Sequence, residues 1–163
     1  MHKLAAHVLL LLVVSTSPTL ACASLTDDES QIPRFFPPTS GAVTSGFGLR
    51  LHPILQVTKF HSGVDYEAGI GTPVRAAARG QVVVAERKGE YGNLVVIKHG
   101  GNLETADGHL SRIDAKIGDC MEKGALVGLA GATGLVEGPK LHFELRHNGQ
   151  FIDPLSMIEG ATR

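Results

Sequence analysis

An all-β domain behind an export signal is what this sequence predicts, and three observations carry that reading. Short runs rich in valine, leucine and alanine recur from residue 41 onward, each bounded by glycine-bearing turn signals. No window sustains a helical period. The only long apolar run lies at the extreme N-terminus, where a weakly basic start (Met1-His2-Lys3) leads into residues 4–14. Ser15-Thr16-Ser17-Pro18 interrupts that run, and Ala21-Cys22-Ala23 follows as a small-x-small cleavage site. This is the grammar of a secretory signal peptide, and the run is too short to span a bilayer.

Cleavage after Ala23 makes residues 1–23 the signal and leaves about 140 residues, enough for one domain with a core of its own. Thr19-Leu20-Ala21-Cys22 also reads as a loose lipoprotein signal, with Thr19 where leucine is usual. Either way Cys22 is removed or acylated, so the second of the two cysteines, Cys120, is expected to stand unpaired as a small apolar residue. Removing residues 1–23 takes away one lysine and no acid, leaving 14 Lys+Arg against 16 Asp+Glu. That balance has no clustered basic face and argues against a nucleic-acid partner. The mature part carries no second apolar run long enough to cross a membrane.

Residues 24–40 are polar and then proline-bearing (Pro33, Pro37, Pro38), which reads as a tether. The domain follows over residues 41–159. Its strand-like runs are 74–78, 81–85, 94–98, 125–130 and 141–146. Asn148-Gly149 is a hairpin signal, because both residues tolerate positive φ. The one helix candidate starts at Asp153-Pro154, a capping residue followed by a proline suited to the first turn. The glycine-rich stretches 100–108 and 131–139 read as loops.

The chemistry-bearing residues are few. Alternation along residues 140–146 puts Leu141, Phe143 and Leu145 on one face and Lys140, His142 and Glu144 on the other, facing a groove or solvent. Glu144 is expected to be solvated, or else to orient His142. His61 and Asp65 lie four apart; in a flat strand they would be ~13 Å apart, so sharing an ion requires a bend at Ser62-Gly63. His109 follows a polar stretch and reads as a loop residue. Two imidazoles and one carboxylate form the ligand set of catalytic zinc sites that keep a fourth position open. A chain with eight histidines also offers such spacings by chance.

At these residues the chain resembles the LytM/lysostaphin-type zinc endopeptidases, which cleave peptide stems or cross-bridges of bacterial peptidoglycan. The resemblance spans residues 41–158. It runs through Gly46-Phe47-Gly48-Leu49-Arg50-Leu51-His52-Pro53, Phe60-His61-Ser62-Gly63-Val64-Asp65, Tyr91-Gly92-Asn93, Gly108-His109-Leu110-Ser111 and Leu141-His142-Phe143-Glu144. It implies a single antiparallel β-sheet sandwich with a metal-bearing groove, zinc held by His61, Asp65 and His142, and His109 as a catalytic histidine. The chain departs from the pattern twice. Lys140 stands where the family has a second catalytic histidine, and Asp107 replaces an aromatic residue. A lysine ammonium has no acceptor lone pair, although it can stabilise an oxyanion. The resemblance therefore implies either a zinc peptidase of peptidoglycan, with activity reduced by Lys140, or a non-catalytic domain that binds the wall or activates a cell-wall amidase. A purely structural zinc module is the third possibility. An exported domain of this kind, soluble or lipidated through Cys22, is expected in the periplasm.

Overall fold

The computed structural model describes Cys22, Leu25 and residues 32–52 and 54–160. The signal-peptide expectation thus lies almost wholly outside the described residues. Among the described residues, thirteen strands build the domain: β1 (Val43–Ser45), β2 (Gly48–Leu51), β3 (Thr58–His61), β4 (Val64–Glu67), β5 (Pro73–Arg75), β6 (Gly80–Arg87), β7 (Asn93–Lys98), β8 (Leu103–Leu110), β9 (Arg112–Ile113), β10 (Cys120–Met121), β11 (Leu126–Leu129), β12 (Lys140–His147) and β13 (Gln150–Ile152).

The large sheet has the order β1-β4-β12-β8-β7-β6-β10, with β13 paired to β12. A three-stranded sheet, β5-β11-β9, and the β2-β3 ribbon complete the architecture, and the paired strands run antiparallel. Val64, Val95, Ile97, Leu141, Phe143 and Leu145 of the large sheet join Val74 and Val127 of the small one in a single buried cluster. A second, smaller cluster of Leu94, Val96 and Ala106, with Tyr91 against it, lies on the opposite face of the large sheet. That face carries the groove. Among the described residues no helix is long and apolar enough to cross a membrane.

Several expectations hold. Asn148 and Gly149 take φ of 50° and 75° and join β12 to β13 as a two-residue hairpin loop. Asp153 accepts a hydrogen bond from the Leu155 N–H, but the segment it caps is only a 3-10 turn, Pro154–Ser156, instead of an α-helix.

Others are corrected. Residues 103–110, read as part of a loop, form a central strand paired on both sides, by β7 and by β12. Its polar residues mislead because they are satisfied inside the fold: Thr105 is buried and its hydroxyl lies 2.9 Å from His99 Nε2. The end of the presumed tether is packed, with Phe35 fully buried edge-on to His99 and bridged to Ile158. Cys120 is not alone. It forms a disulfide with Cys22 across 98 residues of chain, tying the N-terminal segment to the sheet edge at β10.

Candidate metal centre

The His61–Asp65 spacing works because the chain turns between β3 and β4. Ser62-Gly63 makes the bend, and Gly63 is required there, since an added Cβ would lie 2.2 Å from the Phe143 carbonyl oxygen. Strand pairing supplies the third donor by placing His142 of β12 directly opposite Asp65 of β4. The result is a tight triangle. Asp65 Oδ1 is 2.9 Å from His142 Nδ1 and 3.2 Å from His61 Nε2, and the two ring nitrogens are 3.2 Å apart. All three residues are buried.

The remaining ring nitrogens fix what these atoms present. His61 Nδ1 is 2.7 Å from the Gly46 carbonyl, which can only accept, so Nδ1 carries the hydrogen and Nε2 offers a lone pair. His142 Nε2 faces Glu144 Oε1 at 3.2 Å, so in the neutral ring it is Nδ1 that turns a lone pair inward. Three lone pairs at such separations repel unless a cation lies among them. An N, N, O set with room for a further ligand suits a divalent ion of the zinc type. The protein's own electrostatics agree. Burial lowers the affinity of His142 for a proton, yet hydrogen bonds and charge from Asp65 and Glu144 outweigh it and raise its pKa. Burial likewise opposes ionisation of Asp65, but hydrogen bonds from His142 and His61 in their protonated forms, and from Lys140, hold it well below the usual carboxylate range; without an ion, protons take the place of the cation.

Glu144 is no solvated strand carboxylate. It is fully buried and accepts from Ser62, Tyr91 and Arg146 as well as facing His142. Burial pushes its pKa up, but hydrogen bonds from His142 and Ser62 bring it down to about 2. Ser62 and Tyr91 belong to this support and were not assigned a role from the sequence. The signal for Glu144 itself was its place on the same strand face as His142.

His109 sits near the end of β8, not on a free loop. Simple alternation would send it to the core side, with Asp107. A β-bulge intervenes: Asp107 to Leu110 oppose Val95 to Asn93, four residues against three. With φ of 61° at His109, its ring turns into the groove, 5.8 Å from the His142 ring. Its Nδ1–H donates to the Thr133 carbonyl at 2.8 Å, leaving Nε2 free. Thr133 is itself clamped, because its hydroxyl donates to Leu110 O and accepts from Asn93 N. Gly92 makes this possible, since a Cβ there would strike Thr133 at 2.3 Å. Burial lowers the His109 pKa, which keeps the ring neutral and able to accept a proton.

Lys140, at the start of β12, directs its ammonium at Asp65 Oδ2, 2.8 Å away. Arg50 of β2 approaches the same oxygen at 3.5 Å. These residues border a groove of about 320 Å³, with Phe60 and Tyr91 on its walls and Leu135, Val136 and Glu137 contributed by the loop before β12.

An all-β domain whose bent strand ends present two imidazoles and a carboxylate to one groove is the architecture of a metallopeptidase class. The family model for peptidase family M23 matches residues 59–154, and the chain belongs to that family. It is 45% identical over 115 residues to the DD-carboxypeptidase/endopeptidase Mpg of Neisseria meningitidis, covering 71% of this chain and 26% of that protein. It is 41% identical over 106 residues to the peptidoglycan DD-endopeptidase ShyA of Vibrio cholerae, covering 65% and 25% respectively. The chain thus spans about a quarter of the length of these curated relatives. Among solved structures, a zinc-containing peptidase from Vibrio cholerae matches with a TM-score of 0.68 at 35% identity, over 74% of this chain and 39% of that one. The catalytic domain of lysostaphin from Staphylococcus simulans matches with a TM-score of 0.65 at 30% identity, over 71% and 90%. The all-β, LytM/lysostaphin-type fold implied by the sequence is thereby established.

Proposed function

We propose that this protein is an exported zinc endopeptidase that hydrolyses peptide stems or cross-links of peptidoglycan. The observation that carries the reading is the convergence of His61 Nε2, Asp65 Oδ1 and His142 Nδ1 within 3.2 Å of one another, beside a groove that also holds the free Nε2 of His109. His61, Asp65 and His142 would hold the zinc, which when bound supplies Lewis acidity towards a scissile carbonyl. The other steps belong to the chain. His109 takes a proton at Nε2 from the attacking water and returns it to the leaving amine. The Thr133 carbonyl keeps His109 in the tautomer that permits this. Glu144 orients His142, and the groove walls position the peptide.

Peptidoglycan is the substrate class named for ShyA, and export fits both the N-terminal apolar run and a disulfide, which persists in oxidising compartments. Keeping that disulfide requires Cys22 to stay in the mature chain, which excludes a cut after Ala23, and leaves no free sulfur on Cys22 for a lipid. A periplasmic location fits this reading. A second reading, a non-catalytic domain that binds the wall or activates an amidase, draws on one observation: Lys140, held on Asp65, stands two residues before His142 where a second imidazole would serve as a proton carrier.

Incubating the zinc-loaded protein with purified sacculi and analysing soluble muropeptides by mass separates the two. The endopeptidase reading expects fragments with cleaved peptide bonds that vanish on chelation. Stoichiometric zinc without any fragments, together with stimulation of an added amidase, would contradict it.

A further inference from the structure

Lys140 departs from the pattern that the sequence resemblance implies, and the geometry gives it a task other than proton transfer. A metal-binding carboxylate has two oxygens and can offer one or both. In Asp65 they are divided between two environments. Oδ1 faces the two imidazole nitrogens, at 2.9 and 3.2 Å. Oδ2 faces two cations from separate elements, the Lys140 ammonium at 2.8 Å and the Arg50 guanidinium at 3.5 Å. The aspartate is buried and both cations are largely covered, with side-chain exposures of 21% for Lys140 and 26% for Arg50, so solvent screens these contacts less than it would at the surface.

The backbone of Lys140 is fixed as well as its tip. Its N–H donates to Gly131 O at 3.0 Å, and it pairs with Glu67 in the register that sets His142 against Asp65. The same strand that delivers His142 therefore delivers the cation that holds the opposing ligand.

We propose that Lys140 is a positioning residue for Asp65: with Arg50 it occupies Oδ2, so that the carboxylate meets the metal through Oδ1 alone and a coordination position stays open. This rests on the metallopeptidase reading above. Lysine suits the task because an ammonium brings a full charge and three donors on a flexible stem, whereas a neutral imidazole brings one donor and no charge. The two cations also offset the carboxylate's charge, so a bound dication loses less of its own. The departure from the histidine pattern is then an exchange in which a base is given up and control over one ligand's denticity is gained.

The test uses the cobalt-substituted full chain, whose visible absorption distinguishes four from five ligand atoms. The native protein is expected to give the strong four-coordinate spectrum. Lys140→Met, or Arg50→Met/Lys140→Met if Arg50 alone suffices, is expected to lower the molar absorption by roughly half as Oδ2 joins the ion. Lys140→Arg, which keeps the cation, is expected to restore the native spectrum. Unchanged spectra in both methionine variants, or an arginine variant that behaves like methionine, would overturn the proposal. X-ray absorption of the native zinc protein needs no variant: the short metal–carbon distance of a bidentate carboxylate would also overturn it. A native protein that takes up neither metal would instead overturn the metallopeptidase reading beneath it.

Discussion

Glu144 and Asp107 are two buried carboxylates on neighbouring strands, facing opposite sides of the large sheet. Glu144, on the groove face, has a partner for each oxygen and titrates near 2 despite its burial. Asp107, opposite Phe143 in the register, lies on the core face, where its Oδ1 has no hydrogen-bond partner and burial pushes its pKa up to about 8. One sheet thus treats the same functional group in opposite ways. On the groove face buried charge is networked and serves the histidines. On the core face the carboxyl keeps its proton up to about pH 8 and has one oxygen without a partner.

The sharpest way to break the groove network is to remove its proposed base. His109→Ala is expected to lower peptide hydrolysis by ~10²–10⁴ while zinc content stays at the native level, checked by turnover and metal analysis together. Glu144→Gln keeps the shape but weakens the acceptor for His142, and a loss of ~10–100-fold in zinc affinity is expected in a chelator competition assay.

Core-side effects appear in stability. Cys120→Ser opens the link to Cys22 and is expected to cost ~2–4 kcal/mol in urea denaturation, matched by adding a reductant to the native protein. Asp107→Asn sharpens the contrast between the faces. The folded protein favours the protonated Asp107, so its contribution is fully present below the unfolded pKa near 4 and is lost as pH rises towards 8. The asparagine variant lacks that decline, so its advantage over the native protein should grow between pH 5 and pH 8, read as the difference in urea midpoints.

The contrast also explains what could be read from the sequence. Local patterns carried β12, whose alternation sorted Leu141, Phe143 and Leu145 from His142 and Glu144, and the Asn148-Gly149 hairpin. Ordered motifs brought His61, Asp65, His109 and His142 together as a set. Long-range pairing was not legible. Strand β8 looked like a loop because Glu104, Thr105 and Asp107 are polar, and only tertiary contacts such as His99 with Thr105 make their burial tolerable. The orientation of His109 depends on a bulge that no spacing announces. The Cys22–Cys120 bond closes 98 residues, and the grasp of Lys140 and Arg50 on Asp65 joins three strands.

The central claim is that the groove face is built around one divalent ion. Calorimetric titration of zinc into the metal-free protein tests it most directly. One site per chain, lost in His142→Ala, is the result expected. Absence of binding by the native protein, or undiminished binding by His142→Ala, would contradict it.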